Sequence, residues 1–267
     1  VREASVNRAT SDWYADDDLW IATYSYMFPE TRVAAAAEET EKIIQLTRCG
    51  SGAVLDLCCG PGRHSIPFAE RGFAVTAVDR TRYLLDRARA YADAQHVDIE
   101  FVEQDMRRFV RPDTFDLALS MLTSFGYFDE PAENQRVLEN VHASLRPGGV
   151  FVLDTMGKEI IARIFEATGS DDLEDGALLF QRRSVIDDWS RMENQWFVIK
   201  DGGVRSFRLR HWIYSGRELR EMLEAAGFAG IDLYGDLTGS TYDSGASRMI
   251  AVARKGGDAK QRRGGTR

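Results

Sequence analysis

Residues 53–79 read AVLDLCCGPGRHSIPFAERGFAVTAVD, and the alternation within this stretch decides the fold. AVLDL (53–57) is a short apolar run ended by a Cys/Gly/Pro turn, the pattern of a buried strand. The turn opens a helix expected over 62–71, and FAVTAVD (73–79) is a second strand. A strand, a helix and a strand in succession describe a parallel crossover. The loop after the first strand is where an open α/β sheet binds its ligand. Gly60 and Gly62 let the backbone approach that ligand closely, and Asp56 sets a carboxylate just ahead of the turn.

The same alternation extends in both directions. Strong helix formers predict a helix over 32–48, ahead of the first strand. Downstream come a helix at 81–94 with Thr81 as its N-cap, a strand at 98–105 and a strand at 114–122. A helix at 131–145 and a strand at 149–157 complete the alternating part. The period then changes. ALLFQRRSVID (177–187), RMENQWFVIK (191–200) and VRSFRLRHWIY (204–214) are extended runs, with Asp-Gly-Gly (201–203) a strong hairpin turn between the last two. A helix returns at 215–228 with Ser215 at its start and Gly227 at its end. GIDLYGDL (230–237) and SRMIAVARK (247–255) are final strands joined too tightly for a crossover helix, hence antiparallel.

The expected architecture is α/β. It is a doubly wound, seven-stranded, mostly parallel sheet with an antiparallel C-terminal hairpin. A helical lid spans 1–48, the core 49–157 and 215–255, an antiparallel β insertion 158–214, and a disordered basic tail 256–267.

Composition narrows the function. The 267 residues are 44% hydrophobic and 28% charged, enough to bury a sizeable core. A formal charge of −8 disfavours nucleic acid and anionic membrane as partners. Residues 254–267 carry six bases against Asp258, which leaves −13 on the rest. No apolar run is long enough to span a bilayer, and no secretory signal is visible. The three cysteines, Cys49, Cys58 and Cys59, suggest a reducing cytoplasm and no disulfide framework. Neither they nor the four histidines show metal-ligand spacing, so no metal is expected.

Two chemistries compete for the turn at 58–64. A dinucleotide fingerprint needs three spaced glycines under a pyrophosphate, but Cys58 takes the first position and no third glycine follows. Asp56 would repel a pyrophosphate and attract a cation. VLDLCCGPG (54–62) resembles motif I of the class I S-adenosylmethionine-dependent methyltransferases, with Cys58 in place of the usual first glycine. Asp79 closes the second strand like the family's acid that accepts the ribose hydroxyls. Gln104-Asp105-Met106 resembles the motif flanking the adenine, with Asp105 accepting from its amine. FDLALSMLTSFGYF (115–128) is similar to motif IV, and LRPGGVFVLD (145–154) to the motif before strand five. The resemblance implies S-adenosylmethionine as cofactor, held by Asp56, Cys58, Gly60, Gly62, Arg63, Asp79, Arg80, Gln104, Asp105, Met106 and Met121.

Small-molecule members of the family build the acceptor pocket from an N-terminal lid, the motif IV loop and an insertion after strand five. That implies a pocket including Trp13, Tyr24, Tyr26, Ser124, Phe125 and Tyr127. Aromatic faces suit a sulfonium through cation–π attraction, and the alternative for each is packing of the lid. Alternation on 204–214 places Phe207, Leu209, His211 and Ile213 on one face. His211 is therefore a candidate base for an acceptor that arrives protonated, its alternative being a core histidine. Asp236 is a second candidate, its alternative a turn former.

The expected activity is methyl transfer to oxygen, nitrogen or carbon of a small molecule by in-line displacement, in a monomer or homodimer. Rivals are a nicotinamide-dependent oxidoreductase and a non-catalytic binding protein of the same fold. Arginine outnumbers lysine 29 to 5, a bias of high-GC bacteria that suggests a secondary metabolite as acceptor.

Overall fold

The computed structural model describes residues 12–257. The expected basic tail lies almost wholly outside them, as do the first eleven residues of the expected lid. A 3-10 turn at Trp13–Ala15 leads into four helices: α1 (Asp17–Ala22), α2 (Tyr24–Met27), α3 (Glu30–Ala34) and α4 (Ala36–Thr47). The single helix expected over 32–48 is thus two, broken at Ala35.

The alternating part follows as β1 (Ala53–Leu57), α5 (Ser65–Glu70), β2 (Ala74–Asp79), α6 (Arg82–Gln95) and β3 (Glu100–Glu103). It continues with β4 (Phe115–Ser120), α7 (Pro131–Ser144) and β5 (Leu145–Thr155). Helix α5 begins at Ser65 rather than 62, because left-handed glycines at 60 and 62 hold the preceding loop out of the helix. Next come α8 (Lys158–Ile164) and four antiparallel strands: β6 (Thr168–Asp172), β7 (Leu178–Ile186), β8 (Arg191–Lys200) and β9 (Gly203–Trp212). Neither α8 nor β6 was anticipated. The exposed TGSDD of β6 has no apolar alternation to betray a strand. The chain closes with α9 (Gly216–Ala225), β10 (Phe228–Tyr234) and β11 (Met249–Lys255).

The large sheet has the order β10-β11-β5-β4-β1-β2-β3. β1 pairs in parallel with both β2 and β4, so the winding reverses there and a crevice opens at their carboxyl ends. The last strand is not an edge appendage. β11 runs antiparallel between β5 and β10. Its first five residues, MIAVA, are all buried, whereas in β10, at the edge of the sheet, only Phe228 and Ile231 are buried. Period-2 alternation sends Leu55 and Leu57 of β1 into one apolar cluster and Val54 into the other, so both faces of the sheet are covered. A capping box at Ser215 and Glu218 starts α9, and left-handed Gly227 follows its end. Asp201 and Gly202 are both left-handed, as a two-residue hairpin turn between β8 and β9 requires.

The four-stranded sheet is docked by backbone. Trp212 N–H donates to Gly126 O at 2.7 Å, and its indole donates to Phe128 O at 2.8 Å. From the lid, the Trp13 indole donates to Arg210 O at 2.8 Å. Lid, motif IV loop and β9 therefore meet over the crevice.

Candidate active site

A cavity of about 620 Å³ occupies the crevice. The loops after β1, β2 and β3 form one wall. The lid, the loop after β4 and one face of β7–β9 form the rest. Its size lies within the range of roughly 300–1,000 Å³ common for small-molecule sites.

The loop after β1 is shaped by three left-handed residues, Cys58 (φ 63°), Gly60 (56°) and Gly62 (80°). An L residue there costs roughly 1–2 kcal/mol, so Cys58 holds the conformation under strain. Cys59 N–H donates to Val78 O at 3.0 Å and Gly60 N–H to Asp79 Oδ2 at 2.9 Å, which ties the loop to the end of β2. Asp79 Oδ1 accepts from Thr81 N–H at 2.8 Å. Each oxygen has a second lone pair, and Asp79 lines the cavity, an arrangement suited to a vicinal pair of hydroxyls. Burial pushes the Asp79 carboxyl up, opposed by its backbone hydrogen bonds.

Asp56, 2% exposed, accepts from Ser65 Oγ at 2.6 Å and also lines the cavity. Burial raises its pKa, against the pull of the neighbouring His64 and Arg63. A buried carboxylate here favours a cationic group on the ligand and penalises a pyrophosphate. Gly60 faces Phe28 of the lid, where an added Cβ would sit 3.3 Å from the ring. The loop is thus a cradle with a hydrophobic cover, and these residues fit S-adenosylmethionine.

Arg63 and His64 connect this loop to the lid. Glu39 Oε2 accepts from Arg63 Nη1 at 2.6 Å and pairs with His64 Nε2 at 2.9 Å. Arg63 Nη1 also donates to Arg32 O at 3.1 Å. Burial pushes the Glu39 carboxyl up, but the hydrogen bond from His64 and the Arg63 charge hold it below its ordinary value. Arg63 lines the cavity with its guanidinium already engaged.

Asp105 is similarly engaged. Arg107 donates through its backbone N–H (2.8 Å) and Nε (3.0 Å) to Oδ1, and through Nη2 to Oδ2 at 2.6 Å. Burial would raise this carboxyl, and the hydrogen bonds from Arg107 override it. Arg80 is the loosest partner, 3.5 Å from Oδ2. Gln104 and Met106 lie beside it in the lining, and Cys58 Sγ is 3.5 Å from Met106 Sδ.

On the other side, Trp13, Tyr26, Met121, Ser124 and Tyr127 line the cavity. Trp13 and Tyr127 meet edge-on at 4.6 Å between ring centroids. Ser124 Oγ donates to Met121 O at 2.8 Å. His211 lines the cavity from β9, where burial pushes its imidazole down to about 4. It is neutral at physiological pH.

Four expected residues lie outside the lining. Gly62 serves packing, since a Cβ there would sit 3.2 Å from Ala88 Cβ of α6. Tyr24 is held on the far side of the lid, against Tyr83 and under the Arg87 guanidinium at 4.0 Å. Phe125 is buried against Tyr214 at 5.7 Å. Asp236 is a turn former: its Oδ1 accepts from Thr238 N–H at 2.7 Å and Thr238 Oγ1 at 2.6 Å.

Other lining residues went unread in the sequence. Gln181, Arg183, Met192 and Asn194 share the inner face with Trp196, Leu209 and His211 through the β7–β8–β9 register. Alternation marks each strand, but which face turns inward depends on pairing. Arg32 and Arg248 also line the cavity. Arg248 Nε donates to Asp154 Oδ1 at 2.6 Å.

Residues 54–149 match the family model described as a methyltransferase domain, about a third of the chain. A Bacillus subtilis (strain 168) protein named as the methyltransferase YqeM is 27% identical over 237 residues, covering 87% of this chain and 96% of its own. An S-adenosylmethionine-dependent methyltransferase from Clostridium acetobutylicum superposes with a TM-score of 0.73 at 16% identity, covering 90% of this chain and 98% of that one. An S-adenosylmethionine-bound amino pentose methyltransferase of calicheamicin biosynthesis, from Micromonospora echinaspora, is 25% identical with a TM-score of 0.62, covering 89% and 96%.

Proposed function

We propose that the chain, which matches a methyltransferase domain over residues 54–149, is a class I S-adenosylmethionine-dependent methyltransferase that methylates oxygen, nitrogen or carbon of a small molecule held against the inner face of β7–β9. One observation carries the reading. The cavity runs unbroken from the motif I loop and Asp79 to a second wall made by the insertion, which supports a reading in which donor and acceptor occupy one continuous space.

The cofactor supplies a methyl group on a positively charged sulfur, which leaves as a neutral thioether. The protein's residues then act mainly by placement. Asp79 is set to hold the ribose hydroxyls, and Asp56 to face the amino-acid part, where its charge attracts an ammonium. Arg32 has no carboxylate partner among the described residues and stands beside Arg63, so it is the cation for the cofactor's carboxylate. Asp105, already bound by Arg107, fixes the loop beside the adenine and offers the ring little further acceptor capacity. Trp13, Tyr127 and the lid exclude water from the reacting groups, and alignment of this kind can contribute several kcal/mol. His211, neutral and without a hydrogen-bond partner among the described residues, is placed to accept a proton or hydrogen bond from the acceptor.

A bacterial natural product is the acceptor class we favour. The support is the arginine bias and the amino pentose methyltransferase among the similar structures. Among the described residues no helix is long and apolar enough to cross a membrane. A cytoplasmic monomer or homodimer with no nucleic-acid partner is part of the same reading.

Two measurements test it. Calorimetry should show S-adenosylhomocysteine binding, with none for NAD(P). Mass spectrometry with methyl-labelled donor, run over metabolite extracts and an RNA control, should label a small molecule. Labelling of RNA alone would refute the proposal.

A further inference from the structure

Resting on the reading that donor and acceptor share this cavity, we infer that the acceptor carries an oxyanion, a carboxylate or a phosphoryl group, received by Arg183 with Asn194 beside it. These are two neighbouring donors with unused capacity on one wall. Arg183 of β7 is paired directly with Asn194 of β8. Opposed side chains start about 5 Å apart, and the Arg183 guanidinium extends from there over Gly169 of β6, with its free N–H groups on the cavity wall.

Each donor is short of acceptors. Arg183 has no carboxylate partner among the described residues. Its Nη2 donates to Gln181 Oε1 at 2.9 Å and its Nη1 to Glu166 O at 3.3 Å, which leaves three of a guanidinium's five N–H groups. The Asn194 amide makes no hydrogen bond among the described residues.

The guanidinium is also aimed in advance. Gln181 Nε2 donates to Tyr26 Oη at 3.1 Å and to Asp171 Oδ2 at 2.9 Å, which turns Gln181 Oε1 towards Arg183. The remaining cavity cations are accounted for. Arg63 is on Glu39, Arg80 on Asp105 and Arg248 on Asp154. Arg32 sits at the motif I end, and the donor has a single carboxylate for it. Arg183 is then the cation left over, on the wall assigned to the acceptor. Met192 and Leu209 beside it, with Ile164 and Phe165 at the open side, suit an apolar body attached to the charged group.

The full chain loaded with S-adenosylhomocysteine is titrated calorimetrically with benzoate, phenyl phosphate and the neutral benzamide. At least one anion should bind ten times or more tighter than benzamide, and the better of the two identifies the oxyanion. R183Q should weaken that anion about tenfold or more and leave benzamide and S-adenosylhomocysteine affinity unchanged, while R183K keeps part of the preference. Should R183Q not fold, N194A should cost the anion several-fold on the same terms. No preference for either anion in the wild-type protein, or a preference that survives R183Q, overturns the inference. Loss of S-adenosylhomocysteine binding by the wild-type chain would instead overturn the reading beneath it.

Discussion

Replacing Glu39 by glutamine tests whether one carboxylate couples the lid to the cofactor loop. Glu39 Oε2 meets Arg63 Nη1 at 2.6 Å and His64 Nε2 at 2.9 Å, and both partner side chains are only 4% exposed. A hydrogen bond to a charged group contributes about 1.5–3 kcal/mol and a neutral one about 0.5–1.5. E39Q removes the carboxylate charge from both contacts and leaves at most the weaker hydrogen bond from the Arg63 guanidinium to an amide oxygen, a loss of about 2 kcal/mol. E39A leaves the Arg63 guanidinium buried without its anion and should cost about 3 kcal/mol, at the lower end for a broken buried pair because Glu39 is itself partly in water. At about 2–4 °C per kcal/mol for a chain of this size, E39Q should melt about 4–8 °C lower. If binding must supply half of the lost ordering, S-adenosylhomocysteine affinity falls about fivefold. The Glu39 carboxyl is held below its ordinary value, so its stabilisation is present at neutral pH. It is lost as pH falls through the folded-state pKa, and E39Q should lack that component of acid sensitivity. Thermal melts with and without ligand measure the first effect and calorimetry the second. A double-mutant cycle of E39A with R63A giving a coupling below about 0.5 kcal/mol would refute the argument.

Other residues give sharper single outcomes. If His211 acts as the base, activity should stay level from pH 8 to about 5 and decline below that, as an imidazole whose burial lowers it to about 4 becomes protonated; H211Q should cost about a hundredfold in turnover. The same burial means the native state resists protonation, so wild type should lose melting temperature between pH 7 and 5 more steeply than H211Q. C58G relieves a left-handed residue at φ 63° and should be neutral to about 1 kcal/mol stabilising once glycine's extra unfolded-state entropy is subtracted. C58V should destabilise, and denaturant melts that rank the two the other way would contradict the strain assignment. G126A puts a Cβ 2.8 Å from Trp212 O at a φ of 96°. It should loosen the motif IV loop from β9, raising acceptor KM while leaving donor affinity near wild type. D236N should leave turnover within twofold, since its carboxylate serves a surface turn.

Much of this protein was legible in residues 53–79, because local rules act there without help from distant chain. A buried apolar run, a Gly-containing turn that opens a helix and a second run build a strand, a helix and a parallel strand, and Asp56 and Asp79 fall at strand ends wherever the strands pair. Glycines at 60 and 62 suit the close approach that the turn makes, and Gly62 lies outside the cavity lining, against Ala88 of α6. Where prediction depended on direction as well as presence, it parted from the structure. The lid's aromatics were visible, but only packing decides that Trp13 and Tyr26 face the cavity while Tyr24 turns to Tyr83 and Arg87. Asp236 matched a strand-end acid in sequence, and hydrogen bonds to Thr238 claimed it for a turn. Arg183 and Asn194 carried no signal at all, being ordinary polar residues on alternating strands.

The sequence by itself determined the parallel core, its order of elements and the place of the cofactor loop, because period, turn chemistry and strand-end carboxylates are local properties. Tertiary structure alone decided the position of β11 between β5 and β10, the attachment of Arg63 and His64 to Glu39, and the face that β7–β9 turns to the cavity. Each of those depends on which residues distant in the chain come within a few ångströms of one another, and strand register and side-chain pairing between remote segments leave no mark on either segment read alone.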